Sequence, residues 1–158
     1  MSEGKIALAL LPLAAVVAGA LIALRLHFEP PTVPPYTLAG TGDEVLLAPG
    51  DRFVIDLRPT APVKGAVAAR AFLLRGDEVR PWDPPFSVAT DGSVHIAGSV
   101  DALFAGVPAG PWEVAVAVGR PEVLPTAPKD VLRARDSTSP APAQAGWHLV
   151  RERVRLGG

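Results

Sequence analysis

The sequence predicts an all-β fold: an antiparallel β-sandwich preceded by a single N-terminal transmembrane helix. Three observations carry this. Residues 6–24, "IALALLPLAAVVAGALIAL", hold no charge and no hydrogen-bonding side chain. Beyond them, apolar residues recur every second position in several short runs, the signature of half-buried strands. Seventeen of the eighteen prolines come after Leu24, which leaves room for short helices only.

Met1 to Lys5 form a short tail ahead of the apolar run. Nineteen helical residues rise roughly 28 Å, close to the hydrocarbon thickness of a bilayer. Apolar side chains occupy every face rather than one stripe, so lipid suits this helix better than a protein core. Residues 6–28 therefore read as a signal-anchor, with Ile6 to Leu24 in the bilayer and Arg25 and His27 reaching for the interface. Ala18-Gly19-Ala20 also satisfies the small-x-small rule of a cleaved signal peptide. Cleavage there would leave "LIAL" as a greasy new terminus, which favours the uncleaved anchor. Lys5 and Arg25 nearly balance across the span, and the basic residue in front favours an amino terminus in the cytoplasm. Both readings export the carboxyl-terminal remainder of the chain; the anchor reading holds that domain in the periplasm, tethered to a bacterial inner membrane.

"EPPTVPPY", residues 29–36, carries four prolines and reads as a polyproline spacer reaching about 25 Å. Residues 37–158 are left for one domain, enough for a proper core. "EVLLA" (44–48) supplies a first strand. "RFVIDLR" (52–58) alternates Phe53, Ile55 and Leu57 against Arg52, Asp56 and Arg58. "AVAARAFLLR" (66–75) and "SVHIAG" (93–98) supply two more. "PWEVAVAV" (111–118) sets Trp112, Val114, Val116 and Val118 against Glu113, Ala115 and Ala117, and "VRERVRL" (150–156) sets Val150, Val154 and Leu156 against three arginines. Pro49-Gly50-Asp51, Gly76-Asp77 and Asp91-Gly92 mark turns, the last two suited to tight hairpins. Short helices are expected at Val100 to Ala105 and, behind Pro128, at Lys129 to Arg135. "DSTSPAPAQAG" (136–146) reads as a low-complexity loop.

A formal net charge of −1 gives no basic footprint for nucleic acid. With no cysteine, disulfides, thiol nucleophiles, thiolate metal sites and a lipidated N-terminal Cys are all excluded.

The stretch "DGSVHIAGSVDALFAGVPAGPWEVAVAVG" (91–119) resembles two successive strands of a bacterial immunoglobulin-like domain with the corner between them, Gly110 preceding the aromatic Trp112 and the alternating valines. It covers about a quarter of the chain and lacks the antibody-type Cys pair, and Trp112 stands where many members carry Tyr. The order of apolar helix, Pro-rich linker, "PGDRFVIDLRP" (49–59) and "VAVGRPEVLP" (116–125) is similar to the envelope-side portions of membrane-anchored anti-sigma-like proteins of Gram-negative bacteria. Those carry a sigma-binding domain before the span. Here five residues precede it, so no functional residue carries over.

Candidate chemistry is sparse. His27 belongs to the membrane edge, and His95 and His148 share no ligand spacing with a third donor, so no metal or cofactor site is expected. Ser93 precedes His95 on one strand face, but no carboxylate stands ready to orient the base. Asp91, Asp101 and Asp130 are explained by turns and helix starts. "GDEV" at 42–45 and 76–79, and the Arg75-Gly76-Asp77 tripeptide, read as solvated strand entries. One segment exceeds structural need. In "RPWDPPF" (80–86), Trp82 and Phe86 stand among prolines and are expected to present an aromatic anchor to a partner. Arg151, Arg153 and Arg155 make a basic stripe on the last strand. The expected role is a non-enzymatic, membrane-tethered, envelope-facing interaction or sensory module with a protein partner. The alternatives are a secreted sandwich after cleavage, and a small envelope hydrolase that would need His95 or His148 gathered with two carboxylates.

Overall fold

A computed structural model describes residues 33–39, 43–137 and 146–158. The expected tail, the anchor at 6–28, residues 29–32 of the spacer and residues 138–145 of the loop lie outside the described residues. Among the described residues no helix is long and apolar enough to cross a membrane.

The described elements run β1 (Tyr36–Leu38), β2 (Val45–Leu47), β3 (Arg52–Pro59), β4 (Ala68–Arg75), β5 (Glu78–Trp82), β6 (Phe86–Val88), β7 (Val94–Ser99), α1 (Val100–Leu103), β8 (Gly110–Gly119), a 3-10 turn (Pro121–Val123), α2 (Pro128–Asp136) and β9 (Trp147–Leu156). The chain is mostly β, as its period-two runs predict. In β3, Phe53, Ile55 and Leu57 are buried while Arg52 and Val54 are exposed. β4 and β5 form a hairpin whose turn needs a positive φ, which Gly76 supplies at 59°. Ser99 caps α1, its hydroxyl accepting from the Ala102 N–H. α2 begins on Pro128, whose missing N–H is harmless in a first turn, and carries Arg133 and Arg135 in its last turn, against the negative end of the helix dipole.

Two sheets result, ordered β1-β3-β7-β6 and β2-β9-β8-β4-β5. One core cluster joins them: Phe53, Ile55 and Leu57 of β3 and Val94 and Ile96 of β7 with Leu73 of β4, Trp112, Val114, Val116 and Val118 of β8 and Val154 of β9. A second cluster lies on the other face of the five-stranded sheet, where Val131 of α2 sits with Phe72, Leu74, Ala115, Ala117 and Trp147. β8 is thus covered on both faces, and small alanines let the helix approach. This explains why "VAVAV" holds no polar residue. Gly119 closes that strand where a Cβ would lie 2.4 Å from the Cβ of Trp147. Val131 is fully buried. Val131→Ala removes two methyl groups, at about 0.8 kcal/mol each, so about 1.5 kcal/mol should be lost in urea unfolding.

The structure corrects the sequence reading in two places. The domain starts before residue 37: Val33 is buried and Tyr36 opens β1, its hydroxyl donating to the Gly92 carbonyl at 2.9 Å. Prolines on both sides had masked these two apolar residues as spacer. The order is not wholly antiparallel, because β2 pairs with β9 in parallel, Val45 opposite Val154 and Leu47 opposite Leu156. β2 leads into β3 of the opposite sheet, so no hairpin fixes its direction. β5 and β6 are both edge strands, the place where a strand tolerates Pro81.

Candidate functional site

Trp82 ends β5 facing inward and is 9% exposed. Its indole N–H donates to the Leu103 carbonyl at 2.7 Å, and its ring stacks on Phe104 at 5.3 Å between centroids. Phe104 meets Phe53 edge-on at 5.4 Å. Trp82 is therefore a member of the core, because the corner after α1 offers its N–H a carbonyl. Of the expected aromatic pair only Phe86, 40% exposed on β6, reaches solvent.

The three arginines of β9 do share its outward face, yet they are not an unpaired basic stripe. Arg155 grips Glu44 with two bonds, 2.9 and 3.2 Å, and Arg151 lies 3.7 Å from Glu113. Among the described residues Arg153 has no hydrogen-bond or ion-pair partner. An exposed cation without contacts adds little to folding, so Arg153→Ala should leave unfolding free energy within about 0.5 kcal/mol.

What distinguishes this part of the molecule is the strand edge beside those arginines. β8 pairs with β9 along its whole length, whereas β2 covers only Val154 to Leu156 on the other side. Among the described residues no strand pairs with that side of residues 147–153. The Gly157 N–H donates to the Leu47 carbonyl, toward β2. Because backbone groups alternate along a strand, the N–H and C=O of Arg151 and Arg153 point the same way, into the uncovered side. A concavity of about 370 Å³ lies here, lined from both faces of the strand by Leu149, Arg151 and Arg153 and by Val150, Glu152 and Tyr36. Glu152 occupies an inward position and is 8% exposed. Its Oε2 has no hydrogen-bond partner among the described residues. Burial pushes its carboxyl above the usual carboxylate range.

A second concavity of about 370 Å³ opens on the outer face of the four-stranded sheet, lined by Asp56, Arg58, Ser87, Asp91, Ser93 and His95 among others. Asp56 of β3 and Ser87 of β6 stand directly opposite His95 of β7, one on each side. The His95 Nδ1–H donates to Asp56 Oδ1 at 2.6 Å. The carboxylate that the sequence did not supply thus arrives from a neighbouring strand. Asp91 is engaged in its turn, accepting from the Ser93 N–H at 2.9 Å, and that bond holds its carboxyl below the ordinary range. Asp101 accepts from the Gly50 N–H, Asp130 lies 3.8 Å from Arg133, and the His148 Nε2–H donates to the Val33 carbonyl. Among the described residues no three His, Asp or Glu side chains gather as metal ligands.

Glu152 was the missed signal. It interrupts the apolar phase of "VRERVRL", where Val150, Val154 and Leu156 hold the other inward positions. The chain matches no protein-family model and no curated protein.

Proposed function

We propose that this chain is a membrane-tethered, envelope-facing protein-interaction module, an immunoglobulin-like β-sandwich held at the bacterial inner membrane by residues 6–28 and without catalytic activity of its own. The observation that carries the interaction role is the edge of β9 that no strand pairs among the described residues, with unpaired backbone groups beside the buried Glu152, whose Oε2 lacks a hydrogen-bond partner there. An exposed strand edge is a standing template for another chain, and a fold with no use for it covers or blunts it. The apolar run supports the tether, and the likeness to envelope-side portions of anti-sigma-like proteins fits the same placement. Membrane fractionation with intact-mass measurement tests the address. The unprocessed chain is expected in the membrane fraction, with protease added to spheroplasts digesting the domain. A processed soluble product would instead mean secretion, and an unprocessed soluble chain would end the reading.

One observation favours a second reading, a small envelope hydrolase: Asp56, His95 and Ser87 form a cross-strand row of acid, base and hydroxyl. Against it, the His95 and Asp56 side chains are 49% and 43% exposed, so water competes for the imidazole and screens the carboxylate. Turnover of an activated ester by the purified chain, abolished in both His95→Ala and Ser87→Ala, would replace the first reading with this one.

A further inference from the structure

We propose that the uncovered edge of β9 takes up an extended segment of a partner protein as an added strand, and that it selects an acidic, a basic and an acidic side chain in succession. This rests on the interaction reading and names the partner's chemistry. Arg151 and Arg153 offer the backbone groups, and strand addition to such an edge draws affinity from main-chain hydrogen bonds and specificity from alternate side chains. Directly opposite residues on paired strands share a face. An incoming strand therefore meets Arg151 and Arg153 on the outer face and Glu152 on the inner one. Acidic side chains suit the two arginines, and a Lys or Arg between them would give the buried Glu152 carboxylate the donor it lacks. The triplet reads the same in both directions, so parallel and antiparallel additions are both served.

Charge also argues against the nearer candidates. A second copy pairing β9 to β9 about Glu152 would set Glu against Glu and Arg against Arg, an arrangement that destabilises a ladder. Continuing the β2 register backwards from Val45 opposite Val154 would bring Asp43 opposite Glu152, carboxylate against carboxylate. The parallel ladder stops at Val45, short of that clash.

The test uses the full chain in detergent and fluorescent, end-capped heptapeptides of strand-forming residues, centred on Glu-Lys-Glu or on the charge-reversed Lys-Glu-Lys. Fluorescence polarisation should show the first bound at least about tenfold more tightly, equivalent to 1.4 kcal/mol. Glu152→Gln and Arg153→Glu should each erase most of that preference. N-methylating the Glu-Lys-Glu peptide at alternate residues should abolish binding for one set of positions and spare it for the other, which only strand pairing predicts and which leaves the protein unaltered. Equal affinity for the two peptides, no binding of either, or indifference to both methylation sets would overturn the proposal. If such a result accompanies a membrane-bound, protease-accessible domain, the edge assignment falls alone, because the address does not depend on it.

Discussion

Trp82→Ala is expected to destabilise the domain by about 3–5 kcal/mol, the range found when a large aromatic side chain is cut from a packed core. Three losses combine. The indole vacates the interior beside Phe104, and the stacked contact at 5.3 Å disappears. The Leu103 carbonyl, which accepts from the indole N–H at 2.7 Å, loses its partner. Trp82→Phe separates these terms by keeping a ring while removing the donor; a buried carbonyl left unsatisfied costs about 1–3 kcal/mol. Phe86→Ala is the control, since Phe86 is 40% exposed on a three-residue edge strand and should cost less than either. Urea unfolding with far-ultraviolet circular dichroism reads all three. A loss below about 1 kcal/mol for Trp82→Ala, within the range of ordinary surface changes, would return residues 80–86 to the surface as a partner anchor.

How far the fold could be read depended on whether each residue's environment was set by its own strand or by another. In β3 and β9 one face is buried and one is wet, so the alternation along the chain is itself the record of the fold. Pro128 announced α2 because a proline can open a helix but not continue one. β8 was harder. Its valines identified the inner face, while nothing local showed what lies over Ala115 and Ala117 on the opposite one; their small size makes room for Val131 of α2. Tyr36 and Trp82 were obscured by neighbouring prolines, which signal linkers and turns more often than edge strands. The candidate sites needed more than one strand to be seen. Asp56 and His95 lie 39 positions apart, and only register brings them to 2.6 Å. The parallel seat of β2 likewise has no local signature, and it is this seat, three residues long, that leaves the rest of the β9 edge without a paired strand among the described residues. Glu152 differed, because a carboxylate in an apolar phase is a local contradiction. Such contradictions mark places where a sequence serves something besides its fold.

Glu152→Met tests that last point through stability, and it should make the protein more stable by about 1–3 kcal/mol at neutral pH, the cost of holding a buried polar group without a partner. Methionine fills a similar volume with apolar atoms among Val150 and Tyr36, so the exchange removes a desolvated carboxylate without opening a large cavity. The gain should depend on pH with a definite sign. Burial raises the folded-state carboxyl pKa of Glu152 above its unfolded value. Below the unfolded pKa the group is protonated in both states and contributes no linkage. As pH rises from there through the folded pKa, the unfolded chain releases its proton first, and the wild-type protein loses stability that the variant keeps. The difference between the two proteins should therefore widen across that window and level off above it. Glu78, Asp91 and Asp136, whose carboxyls are held low by hydrogen bonds, shift both proteins alike on acidification, so the difference isolates Glu152. A pH-independent difference would mean that packing, not charge, sets the effect. A destabilised variant would mean that the free protein already satisfies the carboxylate, and the edge of β9 would then hold no unmet donor site for a partner to fill.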